Sequence, residues 1–222
     1  MKILSVSTSS NIASVAISEN DNCILELNID NNKTHSETLM PLISELFEKT
    51  NISLKELDLI ACDVGPGSFT GIRIGISSVK AIAESLNIPV ISVTSLEALA
   101  YNIKNSECKT ICSLIDARNN QVYSGIFDKE YNLQEKYIAD DINVIIKKIN
   151  KYKSIVFVGD GAITHKNLLQ IKDFSYENII HSKNIGKCAY KKYKENKIDT
   201  ADTIMPLYLR KSQAERMKKT NG

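Results

Sequence analysis

An α/β protein built from two halves with the same order of elements is what this sequence predicts. Three observations carry the prediction. A glycine-rich segment, Gly65-Pro66-Gly67-Ser68-Phe69-Thr70-Gly71-Ile72-Arg73-Ile74-Gly75, follows the apolar run Asp58 to Val64 and opens a helical pattern from Ile72 to Leu86; that is strand, tight turn, helix. Three strands, a helix, a strand and a helix can be read twice along the chain. The composition, 43% hydrophobic and 24% charged over 222 residues, is ordinary for a soluble globular protein of one large domain or two small ones.

In chain order, residues 2–8, 12–19 and 23–29 read as a meander of three strands, with turn formers at Ser9-Ser10-Asn11 and Asn20-Asp21-Asn22. A helix is expected over about 36–50, where Leu39, Leu42, Ile43 and Leu46 make one stripe that Met40 and Phe47 widen. Pro41 suits it only if the helix starts near Glu37, so that the missing N–H falls in the first turn. The strand 58–64, the helix 71–86 and a short buried strand Pro89–Val93 follow. In the second helix Ile72, Ile76, Val79, Ala83 and Leu86 form a stripe, while Gly71 and Gly75 leave bare backbone near its start. Each glycine costs about 1 kcal/mol against Ala, so a close approach by another element should offset it. Either both helices are buried in the monomer's own core, or they pair with the same helices of another subunit. In the second case a bulky residue at Gly75, or Leu46→Asp, abolishes pairing and leaves the monomer folded.

The second half repeats the order: strands Thr110–Ile115, Val122–Phe127 and 132–138, with a turn at Asp116–Asn120. A helix at about 141–152, the strand Ser154–Val158, and Gly159-Asp160-Gly161 opening another helix complete it. This is the order of a duplicated ribonuclease H-like unit, the two-lobed actin-like ATPase (ASKHA) architecture with mixed central sheets. The boundary falls near Ile103–Glu107, giving an N-terminal lobe 1–104 that carries the partner interface and a C-terminal lobe 105–222 with a basic tail.

Several function classes are disfavoured. The glycine spacing is neither G-x-G-x-x-G, since the third glycine comes one residue late, nor a P-loop, since Gly71 is followed by Ile72. A net charge of +2 does not argue for nucleic acid. Cys23, Cys62, Cys108, Cys112 and Cys188 are odd in number and scattered, which suits free thiols in a reducing cytosol better than a disulfide framework. The N-terminus reads as a strand rather than a signal peptide, and no segment approaches the ~18 apolar residues of a membrane span.

The segments Met1–Ile17, Gly65–Gly75, Asp116-Ala117-Arg118 with Val122-Tyr123, and Pro206-Leu207-Tyr208-Leu209-Arg210 resemble the bacterial TsaB (YeaZ) family. The resemblance runs almost continuously through the first half and in patches through the second. It implies a non-catalytic dimerisation subunit in synthesis of threonylcarbamoyladenosine at position 37 of tRNAs. Such a subunit pairs with the catalytic paralogue TsaD through a helix bundle, helps recruit the ATPase TsaE, and pairs with itself when TsaD is absent. It implies an interface formed by Leu39, Leu42, Ile43, Leu46, Phe47, Gly71, Ile72, Gly75, Ile76 and Val79. The loop motif is Gly65, Pro66, Gly67, Ser68, Phe69, Thr70 and Arg73.

The paralogue's H-x-x-x-H metal motif puts two histidines on one helix face. Here the matching stretch is His35-Ser36-Glu37-Thr38-Leu39, so the second ligand is a leucine, and His165 and His181 lie far off. No metal site is expected. TsaB proteins often keep an Asp at the end of the first strand, where this chain has Ser7, which brings no charge to hold Mg²⁺. Ser7, Thr8, Asp116, Arg118, Gly159 and Gly161 are the candidate nucleotide or phosphate contacts, with no cofactor held tightly and ATP or ADP bound at most within the complex. The rival reading is an actin-like-fold metalloprotease or nucleotide-dependent enzyme acting alone. Six lysines between Lys183 and Lys197 (183, 187, 191, 192, 194, 197) and the tail Arg210-Lys211 to Arg216-Met217-Lys218-Lys219 read either as tRNA-phosphate contacts or as a solvated helix face and loose tail. Contact with tRNA is expected to be indirect, with direct binding through these lysines as the alternative.

Overall fold

The computed structural model describes residues 1–104, 109–170, 175 and 177–210. Cys108, the boundary residues 105–107 and the tail Lys211–Lys219 lie outside the described residues. The first sheet has the order β3-β2-β1-β4-β5, from β1 (Lys2–Ser7), β2 (Ala13–Glu19), β3 (Asn22–Ile29), β4 (Leu59–Asp63) and β5 (Val90–Val93). β1 runs antiparallel to β2 and parallel to β4, with Val6 beside Cys62, so Ser7 and Asp63 lie side by side at the strand ends. The second sheet has the order β8-β7-β6-β9, from β6 (Thr110–Asp116), β7 (Gln121–Asp128), β8 (Ile138–Asp141) and β9 (Ile155–Val158). Both are mixed sheets, as the repeated order predicts.

The helices form three layers around the sheets. α1 (His35–Thr50) and α2 (Phe69–Leu86) cover one face of the first sheet, in a core with Leu4, Val6, Val15, Ile17, Ile60 and Cys62. α3 (Ser95–Ala100) and α7 (Ser182–Lys194) lie between the two sheets, where Ile3, Leu59, Ile91, Leu96, Leu99, Ile185, Ala189, Ile111, Phe127 and Val158 form one core. α4 (Ile142–Ile149), α5 (Asp160–Thr164) and α6 (Lys166–Leu169) follow; α4 and α5 pack on the outer face of the second sheet with Cys112, Leu114, Val122 and Phe157. Alternation along β1 explains the division: Leu4 and Val6 face α1 and α2, while Ile3 and Ser5 face the other way.

Several sequence expectations are corrected. α1 starts at His35 with Pro41 inside the helix; the Thr34 N–H donates to Glu37 Oε2 at 3.1 Å, which fixes the earlier start. The expected strand 132–138 is reduced to an isolated bridge between Phe127 and Leu133, with β8 beginning at Ile138. There the Asn132 N–H and the Gln134 side-chain amide donate to Asp128 at 2.8 and 3.0 Å, so a side-chain turn replaces the ladder. α3 was not expected, although Thr94 and Glu97 form a capping box at its start. The lysine-rich helix is not a solvated face. Although it belongs to the second half of the sequence, α7 packs back onto the first sheet, where Gly186 lies against Ser5 and Ser18.

Of the six lysines between Lys183 and Lys197, five of them on α7, four make hydrogen bonds or ion pairs within the chain and Lys194 lies over the Tyr190 ring. Lys183 pairs with Glu26 at 3.2 Å, Lys191 donates to the Glu130 carbonyl and Asn132, Lys192 pairs with Glu97 at 2.8 Å, and Lys197 pairs with Glu195. The described cysteines, Cys23, Cys62, Cys112 and Cys188, are free thiols. No described helix is long and apolar enough to cross a membrane.

Candidate functional site

The first-lobe helices spend most of their expected interface residues on their own chain. Leu39, Leu42, Ile43, Leu46, Ile72, Ile76 and Val79 are all buried, the least so at 5% exposure, and Phe47 is partly buried against the same cluster. Burying each such aliphatic side chain stabilises by roughly 1.5–3 kcal/mol, so this stripe holds the monomer together. Gly71 and Gly75 also serve the monomer. A methyl added at Gly71 would fall on the Thr8 carbonyl, and one at Gly75 would fall on Thr8 Oγ1. The close approach that offsets the glycines is made by the turn after β1, and not by another helix.

What α1 and α2 leave outside is a shallow groove of about 430 Å³ between them. His35, Ser36, Leu39 and Met40 line it from α1; Thr70, Arg73, Ile74, Ser77 and Ser78 line it from α2. Met40 is 50% exposed. Arg73 is held in place at one end, donating from Nε to Tyr208 Oη at 2.8 Å, while Phe69 stacks on the Tyr208 ring at 4.8 Å. The groove thus has an apolar floor, hydroxyl walls and one fixed cation.

The loop motif builds the start of α2. Gly65 has φ +97°, a conformation that favours glycine, and precedes Pro66 in a cis peptide. A side chain at Gly67 would strike the Ser9 carbonyl. The Ser68 N–H donates to that carbonyl at 2.7 Å, and Ser68 Oγ caps the helix by accepting from the Gly71 N–H at 3.2 Å.

Ser7 and Thr8 are not open to a phosphate. Both are buried; Ser7 Oγ donates to Asp63 at 2.7 Å and Thr8 Oγ1 donates to the Gly71 carbonyl at 2.7 Å. The first-lobe residues therefore do not fit a nucleotide phosphate. Asp63, which the sequence reading passed over as part of a strand, is the buried acid here. Its carboxylate accepts from Ser7, Ser9, Ser95 (2.7 Å) and the Gly65 N–H (2.9 Å). Burial pushes its pKa up, and the hydrogen bonds from Ser9, Ser95, Gly65 and Ser7 oppose that rise. The signal available in the sequence was a lone acid closing an otherwise apolar strand.

In the second lobe, Asp116 Oδ1 accepts from the Arg118 N–H at 3.1 Å, an Asx turn, and Arg118 is exposed. Gly159 and Gly161 let α5 close on the end of β6: a methyl at either would meet backbone atoms of residues 114–116. They read as a tight strand-to-helix connection. His165 Nε2 lies 3.8 Å from Asp116 Oδ1. His35 is fixed by its own chain, Nε2 donating to the Ser10 carbonyl at 2.7 Å. Among the described residues, no group of three His, Cys, Asp or Glu is placed to hold a metal.

Comparison with known proteins adds four findings. The family model described as "TsaD: tRNA N6-adenosine threonylcarbamoyltransferase" matches residues 29–181. The tRNA threonylcarbamoyladenosine biosynthesis protein TsaB of Bacillus subtilis is 31% identical over 224 residues, covering 97% of this chain and 96% of that protein. Among solved structures, YeaZ from Pseudomonas aeruginosa superposes with a TM-score of 0.77 at 22% identity, over 94% of this chain and 99% of the other. The activator of 2-hydroxyisocaproyl-CoA dehydratase from Clostridium difficile, with bound ADPNP, has a TM-score of 0.54 at 9% identity over 94% of this chain and all of the other. Both structural likenesses are likenesses of fold, the actin-like ATPase architecture.

Proposed function

The chain belongs to the TsaB family, and from that premise we propose that it is the non-catalytic pairing subunit of a tRNA threonylcarbamoyladenosine-forming complex. In this reading the α1–α2 groove receives the corresponding helices of the catalytic TsaD subunit. The pair then helps recruit the ATPase TsaE, and a second copy of this chain occupies the groove when TsaD is absent. The observation that carries the reading is the groove itself: apolar surface on two long helices, continuous with the core yet outside it, with Arg73 fixed at its end. Two further helices laid across it would complete a bundle.

The sealed first-lobe turn supports an accessory role, since Ser7 and Thr8 are occupied by Asp63 and Gly71. In this reading the chain alone binds no nucleotide tightly, any ATP or ADP in the complex is held with the partner, and the work is done in the cytoplasm. Contact with tRNA is indirect, because most lysines of α7 are already paired within the chain.

The test is Met40→Asp. Met40 is half exposed, so the fold tolerates the change, whereas a carboxylate buried unpaired in a docked interface costs about 2–4 kcal/mol. Titration calorimetry against TsaD from the same cell should show pairing weakened roughly 30-fold or more, with an unchanged melting temperature. Unchanged pairing would place the interface elsewhere. Turnover of ATP by the chain alone would favour the enzyme reading.

A further inference from the structure

We infer that Asp63 is the positioning residue of the partner groove: its carboxylate ties the turn after β1, the Gly65–Ser68 loop and the start of α3 into one unit, from which both groove helices are hung. This rests on the proposed function for what the groove binds, but not for what Asp63 holds.

Asp63 is 1% exposed, so it cannot touch a ligand. An ionised carboxylate offers about four acceptor sites, and this one has four donors: Ser7, Ser9 and Ser95 hydroxyls and the Gly65 N–H. The three serines are themselves buried; Ser7 and Ser9 come from the end of β1 and the turn after it, and Ser95 from the start of α3. Burying a carboxylate without a cationic partner is expensive, and hydrogen bonds of this number are what make it tolerable.

The consequence reaches the groove by two short routes. Ser9 is held by Asp63 through its hydroxyl, and the Ser9 carbonyl accepts from the Ser68 N–H at 2.7 Å; Ser68 is the N-cap of α2. Thr70, Arg73 and Ile74, which line the groove, lie on the first two turns beyond it. The next residue of the same turn, Ser10, accepts from His35 at 2.7 Å, and His35 is the first residue of α1. The Ser95 N–H donates to the Gly65 carbonyl at 2.9 Å, closing the loop from the other side. The turn after β1 is therefore the common anchor of both helices, and Asp63 is what fixes that turn.

Because Ser7 and Asp63 lie side by side on parallel strands, the carboxylate has two adjacent seats in one hydroxyl cage. Exchanging the two residues returns one carboxylate to the cage and should retain the function that removing it loses.

The experiment compares wild type, Asp63→Asn, the exchange variant Ser7→Asp/Asp63→Ser, and the milder Ser95→Ala. Amide hydrogen exchange on the isolated chain, and pairing with TsaD, are both measured at 10 °C, where folded protein is verified by circular dichroism. Asp63→Asn is expected to speed exchange of the amides of Gly65 and of residues 67–72 about tenfold and weaken pairing about tenfold, with amides of α4 and α7 unchanged. Ser95→Ala should give a smaller change of the same pattern, and the exchange variant should recover most of both. Local exchange at wild-type rates in folded Asp63→Asn or Ser95→Ala would overturn the proposal, as would an even acceleration over the whole chain. Failure of wild type to pair would refute the proposed function, and the exchange rates would still decide the role of Asp63.

Discussion

Replacing Gly71 by Ala should destabilise the isolated chain, although it puts a better helix former into a helix. In an unobstructed helix the change would gain about 0.5–1 kcal/mol. Here the new methyl lands on the Thr8 carbonyl oxygen, with the Thr8 carbonyl carbon and His35 Cδ2 each at 3.1 Å. The obstacle is backbone, so α2 has to back away. Overpacking of this kind costs about 1–3 kcal/mol, and loss of the Thr8 Oγ1 bond to the Gly71 carbonyl adds about 1 kcal/mol. The net loss is about 2 kcal/mol, a fall in melting temperature of roughly 4–8 °C for a chain of this size. Gly75→Ala meets only the Thr8 hydroxyl tip and should cost about half as much. Differential scanning calorimetry on the chain without any partner reads both. Were Gly71→Ala to melt at or above wild type, the glycines would not exist for the β1 turn, and an approaching partner helix would again be their reason.

Three further outcomes follow from the same packing. Leu46→Asp, fully buried in the first-lobe core, should unfold the monomer or cost at least about 4 kcal/mol in urea titration, rather than break pairing alone. Lys192→Met strands the Glu97 carboxylate between the sheets and should cost about 2–4 kcal/mol; a neutral result in the same titration would show the pair to be solvated. The contact between β3 and the start of α7 should be pH-dependent. His181 bonds Glu26 at 2.9 Å and Glu177 at 2.8 Å, with Lys183 also facing Glu26. Burial pushes the Glu26 carboxyl up, but the His181 and Lys183 hydrogen bonds and charges outweigh it and hold it down to about 2. The Glu26 bond raises the His181 pKa, against burial. Glu26 thus stabilises above its unfolded value near 4.5 and loses that stability as pH falls toward 2, and His181 stabilises below about 6.5 and loses it as pH rises through its raised value. Stability should peak between about pH 4.5 and 6.5, and Glu26→Gln should flatten both limbs of the profile.

Much of this fold was legible in the sequence because its signals are local. The Leu39, Leu42, Ile43 and Leu46 stripe, the Gly65–Gly75 turn and the alternation in the first three strands each specify one element without help from the rest. The site was less legible because its meaning depends on neighbours distant in the chain. A stripe reads the same whether it faces its own sheet or a partner, and only the fold shows that Leu42 and Ile76 face inward while Met40 stands at the groove. Gly71 and Gly75 advertise a close approach but not by what; Thr8 is 63 residues away from Gly71. The role of Asp63 required donors from the turn after β1 and from the start of α3 brought to the end of β4, and the pairing of α7 lysines required Glu26, Glu97 and Glu130 brought from far along the chain. Pro41 and the lost strand at 132–138 were misread for a different reason: a capping box and an Asp128-centred turn outweighed propensity.

The mass of the complex in solution tests the pairing role most directly. Light scattering on the purified chain, alone and mixed in equal amounts with TsaD from the same cell, should show any homodimer depleted in favour of a complex with one copy of each. A mixture that scatters as two separate proteins, with or without ATP and TsaE, would contradict the pairing role.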